Sequence, residues 1–353
     1  MKKPREICAA IGALVRTPAL CIATFTALAC VGFIGWPVEL FAHFRFQYAV
    51  LLAMSIPYLL YLERNRVNKI YLATCVAALI ANIVVVTLDS TSFNSNTTRS
   101  VSKKSSEQSS GKSSGQTLGQ DSQVNPRVQT TFSLLQFNVN SHSTNYPAFD
   151  KLIAKRKPDI VCIEEVSGGW SLHFEKLKNI YPYQSVRART DNFGIGILSK
   201  YKIEQTIIES FGGAGVPTIF VDLAVPTDHG DSKQIQVIAT HPLPPVTANY
   251  TTMRDLQMHE LAKRITQSEK LTILAGDFNC TPWTYIFKDF MKESGLVDSR
   301  LNKGIEPTWP TMLPYLMIPI DHIFISPSIK CTARQVEEDC GSDHHPVFAK
   351  FVF

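Results

Sequence analysis

The sequence predicts a layered α/β domain preceded by a helical membrane region. Three observations lead there. Long uncharged apolar runs crowd into residues 1–88, and residues 89–128 hold almost no large apolar side chains. Beyond them, strand-like runs alternate with a few helical segments and collect polar residues at their ends. The charge follows the same division. Residues 1–127 hold 13 Lys and Arg against 6 Asp and Glu, a net +7, whereas residues 128–353 hold 22 against 24, a net −2. The C-terminal part therefore lacks the positive excess with which proteins grip long nucleic acids through their phosphates.

Ala19 to Trp36 is an uncharged run of 18 residues that follows Lys2, Lys3, Arg5 and Arg16. Gln47 to Leu62 is a second run, broken only by Ser55 and Pro57, and Ile70 to Leu88 is a third. Crossing the bilayer core takes about 20 apolar residues, so three transmembrane helices are expected, the second being the shortest. A signal peptide cut after Ala27-Leu28-Ala29 is the competing account of the first run, but the apolar stretch continues past that point. Lys and Arg are concentrated at the N-terminus and in the second loop, at Arg64, Arg66 and Lys69, while the first loop holds only Arg45. That bias puts the N-terminus in the cytoplasm and everything after Leu88 on the far side of the membrane, against the pull of Arg99, Lys103 and Lys104. The expected division is a multi-pass anchor over 1–88, a flexible Ser-rich linker over 89–128 and a catalytic domain over 129–353.

In the domain, Thr131 to Phe137 reads as the first strand and delivers Asn138-Val139-Asn140 at its end. Ala148 to Arg156 reads as a short helix. Ile160 to Ile163 is a buried-type strand that ends in Glu164-Glu165, two neighbours that alternation sends to opposite sides. Strands are expected at 194–199, 202–208, 219–225 and 234–240, the last closed by His241-Pro242, where proline stops the strand. Met253 to Ile265 is helical, with Leu256, Leu261 and Ile265 spaced for one buried face. It returns to the strand Leu271 to Ala275, followed by Gly276-Asp277-Phe278-Asn279. A helix from Tyr285 to Glu293, a strand at Ile320 to Ile325 and a last strand from Val347 complete the series. Immediately before that last strand stands Gly341-Ser342-Asp343-His344-His345-Pro346.

Asn138 after a strand, Glu165 in Asp159 to Val166, Gly276-Asp277-Phe278-Asn279, Asp321 in Ile320 to Ile323, and Ser342-Asp343-His344 occur in one order that resembles the endonuclease/exonuclease/phosphatase superfamily, the DNase-I-like fold. The likeness spans 131–353 and leaves the membrane part outside it. It implies two mixed β-sheets packed face to face with flanking helices, a four-layer sandwich. It also implies Mg²⁺-dependent hydrolysis of phosphate esters, with Mn²⁺ as a substitute. Membrane-tethered bacterial members have a similar layout, which implies an inner-membrane protein with an extracytoplasmic domain. Nucleic acid and phospholipid are the substrate candidates, and no obligate protein partner is evident.

Carried over by position, Glu165, Asp343 and Asn138 are the metal side of the site, and Asn138 also contacts the phosphate. Asp277 and Asn279 orient the attacking water and the scissile phosphate. His344 is the catalytic histidine, oriented by Asp321, and His241 matches the second histidine of nuclease and sphingomyelinase branches. Glu164 stands where family members usually carry glutamine, an extra negative charge. The chemistry is coherent with that set. A phosphodiester repels hydroxide until a cation and hydrogen-bond donors neutralise its oxygens. Mg²⁺ takes one or two carboxylates plus water, and a carboxylate–histidine pair does general acid–base work. His344 as base and His241 as phosphate contact or acid is the leading assignment, with Asp277 as rival base. A non-catalytic scaffold of this fold is the alternative from another class. His345, His322, Arg187, Arg189, Arg254 and Gln257 read as surface or structural residues, Arg254 and Gln257 as exposed neighbours on a helix.

Overall fold

The computed structural model describes residues 4–62, 69–91, 130–227 and 230–353. Three helices come first: α1 (Pro4–Cys30), α2 (Arg45–Leu62) and α3 (Lys69–Thr91). Among the described residues, α3 is the one helix long and apolar enough to cross a membrane, over Lys69–Leu88, and α1 holds a shorter apolar stretch, Val15–Cys30. Two 3-10 turns, Gly32–Ile34 and Val38–Phe44, join α1 to α2. The expected Ser-rich linker falls, except for its first residues, outside the described residues.

The domain beyond is a pair of six-stranded sheets. In chain order its elements are β1 (Thr131–Asn138), α4 (Tyr146–Arg156), β2 (Ile160–Glu164), α5 (Gly168–Glu175), β3 (Tyr183–Arg187), β4 (Ile195–Ser199), β5 (Ile203–Glu209), β6 (Thr218–Pro226) and β7 (Ser232–Ala239). There follow α6 (Ala248–Thr266), β8 (Leu271–Asp277), α7 (Tyr285–Ser294), β9 (Val297–Asp298), β10 (Asp321–Ile325), β11 (Lys330–Val336) and β12 (Val347–Val352). One sheet runs β11-β12-β1-β2-β4-β3, the other β5-β6-β7-β8-β10-β9. The pairs β1–β2 and β7–β8 are parallel and the rest antiparallel, so both sheets are mixed.

Period-two alternation explains the layers. Phe132 and Leu134 of β1, Ile160 and Cys162 of β2, Val237 and Ala239 of β7, Ile273 and Ala275 of β8, and Ile323 of β10 pack in one cluster between the sheets. The intervening residues face outward. Leu135 and Phe137 meet Phe149 and Leu152 of α4 and Trp170 and Phe174 of α5, while Leu274 and Phe324 meet Met258 and Leu261 of α6 and Phe287 and Phe290 of α7. The result is a helix–sheet–sheet–helix sandwich, as the family resemblance implies.

Three details differ from expectation. Leu256 is exposed, and the buried face of α6 is Thr251, Arg254, Gln257, Met258, Leu261, Ala262 and Ile265. Arg254 and Gln257, read as exposed from the helix alone, are fully buried: Glu39 of the turn between α1 and α2 pairs with Arg254, and Gly212 lies against the backbone of Gln257. The helix α5 and strands β3, β9 and β11 were not expected; each is short or charged, and its alternation is weak.

Candidate active site

At one end of the sandwich the apolar layer between the sheets turns polar. On β1 the inward positions continue from Leu134 to Gln136 and Asn138, on β2 from Cys162 to Glu164, on β8 from Ala275 to Asp277, and on β10 they begin at Asp321. Strand register brings these ends together. Asp321 pairs across from Asp277, Asn138 lies beside Glu164, and the start of β12 at Val347 lies opposite Gln136. His241, two residues past β7, keeps the inward parity of Val237 and Ala239 beside β8. Gly276 is required for this: a Cβ there would lie 1.9 Å from the Thr240 carbonyl oxygen. The glycine of the Gly276-Asp277 pair thus lets β8 close against the segment that carries His241.

The side chains form one connected line. The Asn138 amide donates to Glu165 Oε1 at 3.1 Å and to Asp277 Oδ2 at 3.2 Å. Asp277 Oδ2 lies 3.4 Å from His241 Nε2 and 3.6 Å from His344 Nε2. The other ring nitrogen of His344 hydrogen-bonds Asp321 Oδ2 at 2.8 Å, which fixes the ring as a partner carboxylate does. The Ser342 hydroxyl donates to the Asn138 carbonyl at 2.7 Å and accepts from His344 N at 3.2 Å, tying the approach to β12 onto the end of β1. Asp343 is one step removed: its Oδ1 accepts from Asn140 at 2.8 Å and its Oδ2 from Trp309 Nε1 at 3.1 Å. The backbone N–H of Asn279 donates to Asp277 Oδ1, and its side-chain amide donates to the Pro242 carbonyl.

Glu164 and Glu165 depart from simple alternation. Glu164 lies inside, between the sheets. Glu165 should then face the outer helices, but its φ of +59° ends the strand and turns the carboxylate to the mouth of the site, where Ser141 N donates to Oε2 at 3.0 Å. Asn140 and Asn279 also have positive φ, at 57° and 51°. Three left-handed non-glycine residues around one site are the backbone strain that functional positions carry.

Electrostatics follow the geometry. Burial works to discharge His344, but the charges of Asp321 and Asp277 and the Asp321 hydrogen bond outweigh it and push the imidazole up to about 10. His241 is raised too, burial being overcome by the hydrogen bond and charge of Asp277 and by Glu165. Burial pushes the Asp277 carboxyl up, yet His344 and His241 bring it down to about 2. Asp277 is thus an ionised carboxylate between the His344 imidazolium and a second histidine whose charged form it favours.

Glu164 behaves in the opposite way. It is fully buried, and burial plus the charge of Asp321 hold its carboxyl well above the ordinary range, which favours its neutral form. Its Oε2 accepts from Gln136 Nε2 at 2.8 Å, and that amide nitrogen is also 2.8 Å from Asp321 Oδ1. The site therefore disfavours the extra negative charge read from the sequence. A raised pKa means stability that is complete below the unfolded value and is lost as pH rises. Glu164→Gln is accordingly expected to keep the fold and to gain in Tm over the unsubstituted chain between about pH 5 and about pH 8, as read by thermal melts. A loss of Tm at both would refute the neutral assignment.

Three participants escape sequence reasoning. Gln136, two residues before Asn138 on one face, is detectable by parity. Asn140 follows Asn138 closely and carries its signal only in φ. Trp309 reaches Asp343 through the pairing of Trp309 with Ile318, which local sequence does not announce. His322 is structural, bonded to the Cys280 carbonyl among Phe278, Phe287 and Phe324. Arg189 pairs with Asp191 at the surface. Cys331 and Cys340 are free thiols.

Comparison with known proteins agrees with this architecture. Residues 135–344 match the family model described as "Endonuclease/Exonuclease/phosphatase family". None of the curated proteins matches. Among solved structures, D. rerio TDP2 complexed with single strand DNA product superposes with a TM-score of 0.53 at 19% identity, covering 63% of this chain and 99% of that one. An endonuclease/exonuclease/phosphatase family protein from Bacteroides thetaiotaomicron gives 0.51 at 17% identity, covering 64% and 98%. A family match that runs from within β1 to His344, more than half of the chain, makes this protein a member of the endonuclease/exonuclease/phosphatase family.

Proposed function

We propose that the chain is a membrane-tethered, metal-dependent phosphoester hydrolase. The observation that carries this is the line Glu165–Asn138–Asp277–His344–Asp321 at one end of the sandwich, with Asp277 between two histidines.

Metal ligands are assigned by donor chemistry. Asp277, Asp321 and His344 offer ligand atoms within 4.8 Å of one another, but all three are buried and His344 Nδ1 is taken by Asp321. Glu165 and Asp343 are half-exposed carboxylates at the mouth, and with the Asn138 oxygen they form the hard, sparse set that suits Mg²⁺ or Mn²⁺. Those three residues would hold the ion, which supplies positive charge against the phosphate oxygens. His344, held charged by its carboxylates, adds a cationic donor for the phosphate, and His241 adds a second ring nitrogen on the other side of Asp277. Asp277 is left as the acceptor for the proton of the attacking water. This reverses the first assignment of His344 as base, because two carboxylates flank its ring. Asn279 and Asn138 hold the Asp277 carboxylate in place.

The tether reading is supported by α3, by the apolar stretch of α1 and by the contacts of the α1–α2 turn. Tyr285 Oη of α7 donates to the Cys30 carbonyl, and the Gln47 amide donates to the Met317 carbonyl. A turn that touches the hydrolase domain lies on its side of the bilayer. With Lys and Arg favouring the opposite side, the domain is extracytoplasmic and, in a bacterium, periplasmic.

Purified full-length protein in detergent is expected to hydrolyse bis(4-nitrophenyl) phosphate with Mg²⁺ or Mn²⁺, to lose that activity in EDTA and to regain it on adding metal. Hydrolysis that EDTA leaves untouched would reject the metal assignment. A fully folded preparation inert with either ion would favour the scaffold alternative.

A further inference from the structure

Pro307 to Ile320 is an uninterrupted stretch without a charged residue. At its centre Met312, Leu313, Tyr315 and Leu316 stand out from the surface, Met312 at 84% and Tyr315 at 94% exposure. Isolated exposed apolar residues are ordinary, but four large ones within five positions form a patch, and such patches mark contact surfaces.

Both ends of this loop are fixed. Trp309 and Ile318 pair across its base, with Ile318 N donating to the Trp309 carbonyl at 2.6 Å. On the catalytic side, Trp309 Nε1 reaches Asp343 Oδ2, Thr311 N donates to the Asp343 carbonyl at 3.0 Å, and the Thr311 hydroxyl donates to the Ser342 carbonyl. On the anchor side, the Gln47 amide near the start of α2 donates to the Met317 carbonyl at 2.8 Å. The apolar tip therefore stands between the mouth of the phosphate site and the end of a helix pair read as membrane-embedded. The turn between α1 and α2 adds Phe33, Ile34 and Trp36, all exposed, and Phe33 packs edge-on against Tyr285.

We propose that residues 311–317 seat in the boundary between headgroups and acyl chains of the bilayer that holds α1–α3, so that the phosphate site opens on the membrane surface and takes a phosphoester carried by a lipid. Aromatic and aliphatic side chains without charge are the composition that settles at that depth. The net −2 of residues 128–353 is consistent with a substrate presented by a surface and not gathered as a long polyanion. The inference rests on the reading of the chain as a tethered hydrolase and names its substrate class.

The test uses the full chain with Met312, Leu313, Tyr315 and Leu316 all changed to serine, beside the unsubstituted protein. Both are assayed on bis(4-nitrophenyl) phosphate in solution and on vesicles of phosphatidylglycerol, phosphatidylcholine or phosphatidic acid. The expected result is a loss of about tenfold or more on one of the vesicle substrates, with the soluble ester hydrolysed as before. Equal vesicle rates in the two proteins, or cleavage of single-stranded DNA with no vesicle hydrolysis, would overturn the proposal. A second readout is independent of activity. Tyr315→Trp in proteoliposomes is expected to add a fluorescence component quenched by brominated lipid, and absence of that component would refute insertion. Failure of the unsubstituted protein on the soluble ester would reject the hydrolase reading itself and the substrate claim with it, while the quenching result would still decide where the loop sits.

Discussion

Replacing His344 with alanine is expected to lower kcat for phosphodiester hydrolysis by roughly 10²–10⁴-fold while leaving a folded protein. The ring touches both carboxylates that organise the site, Asp321 at 2.8 Å and Asp277 at 3.6 Å. Removing it takes away a cationic phosphate donor and leaves Asp277 with one histidine instead of two. Asp277→Asn should cost at least as much, since it removes the proposed proton acceptor. Because the two act on one transition state, the double variant should fall little below the worse single one. Additive losses would mean that they serve separate steps. The pH profile separates the two assignments of His344. A histidine pushed up to about 10 is charged at neutral pH, so a phosphate-holding His344 makes the rate fall on the alkaline side. A His344 that acted as base would make it fall towards acid. Rates measured with the ester in saturating metal decide between them.

The site was legible wherever a motif coincided with a strand end. Asn138, Glu165, Asp277, Asp321 and His344 each terminate or precede an apolar run, and run boundaries are what alternation detects well. Orientation at those ends was less legible. Glu164-Glu165 looked like one inward and one outward residue, but the φ of +59° at Glu165 brings both into the site region at different depths, and dihedral reversals leave no signal in the alternation of apolar residues. The upward pKa shift of Glu164 was hidden for a different reason. It depends on Asp321 and Asp277, which are far along the chain and adjacent in space. Sheet architecture came from the family resemblance, whereas alternation alone argued only for layers. The edge strands β3 and β11 expose much of their length, so their sequences are too polar to stand out.

The same distance limit explains Arg254, and it leads to the second large effect. Arg254→Ala is expected to destabilise the contact between the N-terminal helices and the hydrolase domain by about 3–5 kcal/mol. The guanidinium makes two 2.8 Å bonds to the two oxygens of Glu39, 215 residues earlier, and also bonds Asp255. Both members of the Arg254–Glu39 pair are buried, so removing the arginine strands a carboxylate away from water. A doubly apolar replacement, Glu39→Leu with Arg254→Met, should restore most of the loss, because it removes both charges together. The pH dependence has a defined sign. Burial pushes Glu39 up, but His43, 3.9 Å away, and the hydrogen bonds and charge of Arg254 outweigh it and bring it down to about 2. A depressed carboxylate contributes stability that is complete above its unfolded value of 4.5 and is lost as pH falls towards 2. The contact should therefore hold across neutral pH and release only in acid. An engineered protease site within residues 92–129 gives the readout in detergent. After cleavage, the helical part of the unsubstituted protein should still co-elute with residues 130–353 at neutral pH, and that of Arg254→Ala should separate. Co-elution of both would mean that other contacts, such as Gln47 with Met317 and Tyr285 with Cys30, hold the helices on the domain without the ion pair.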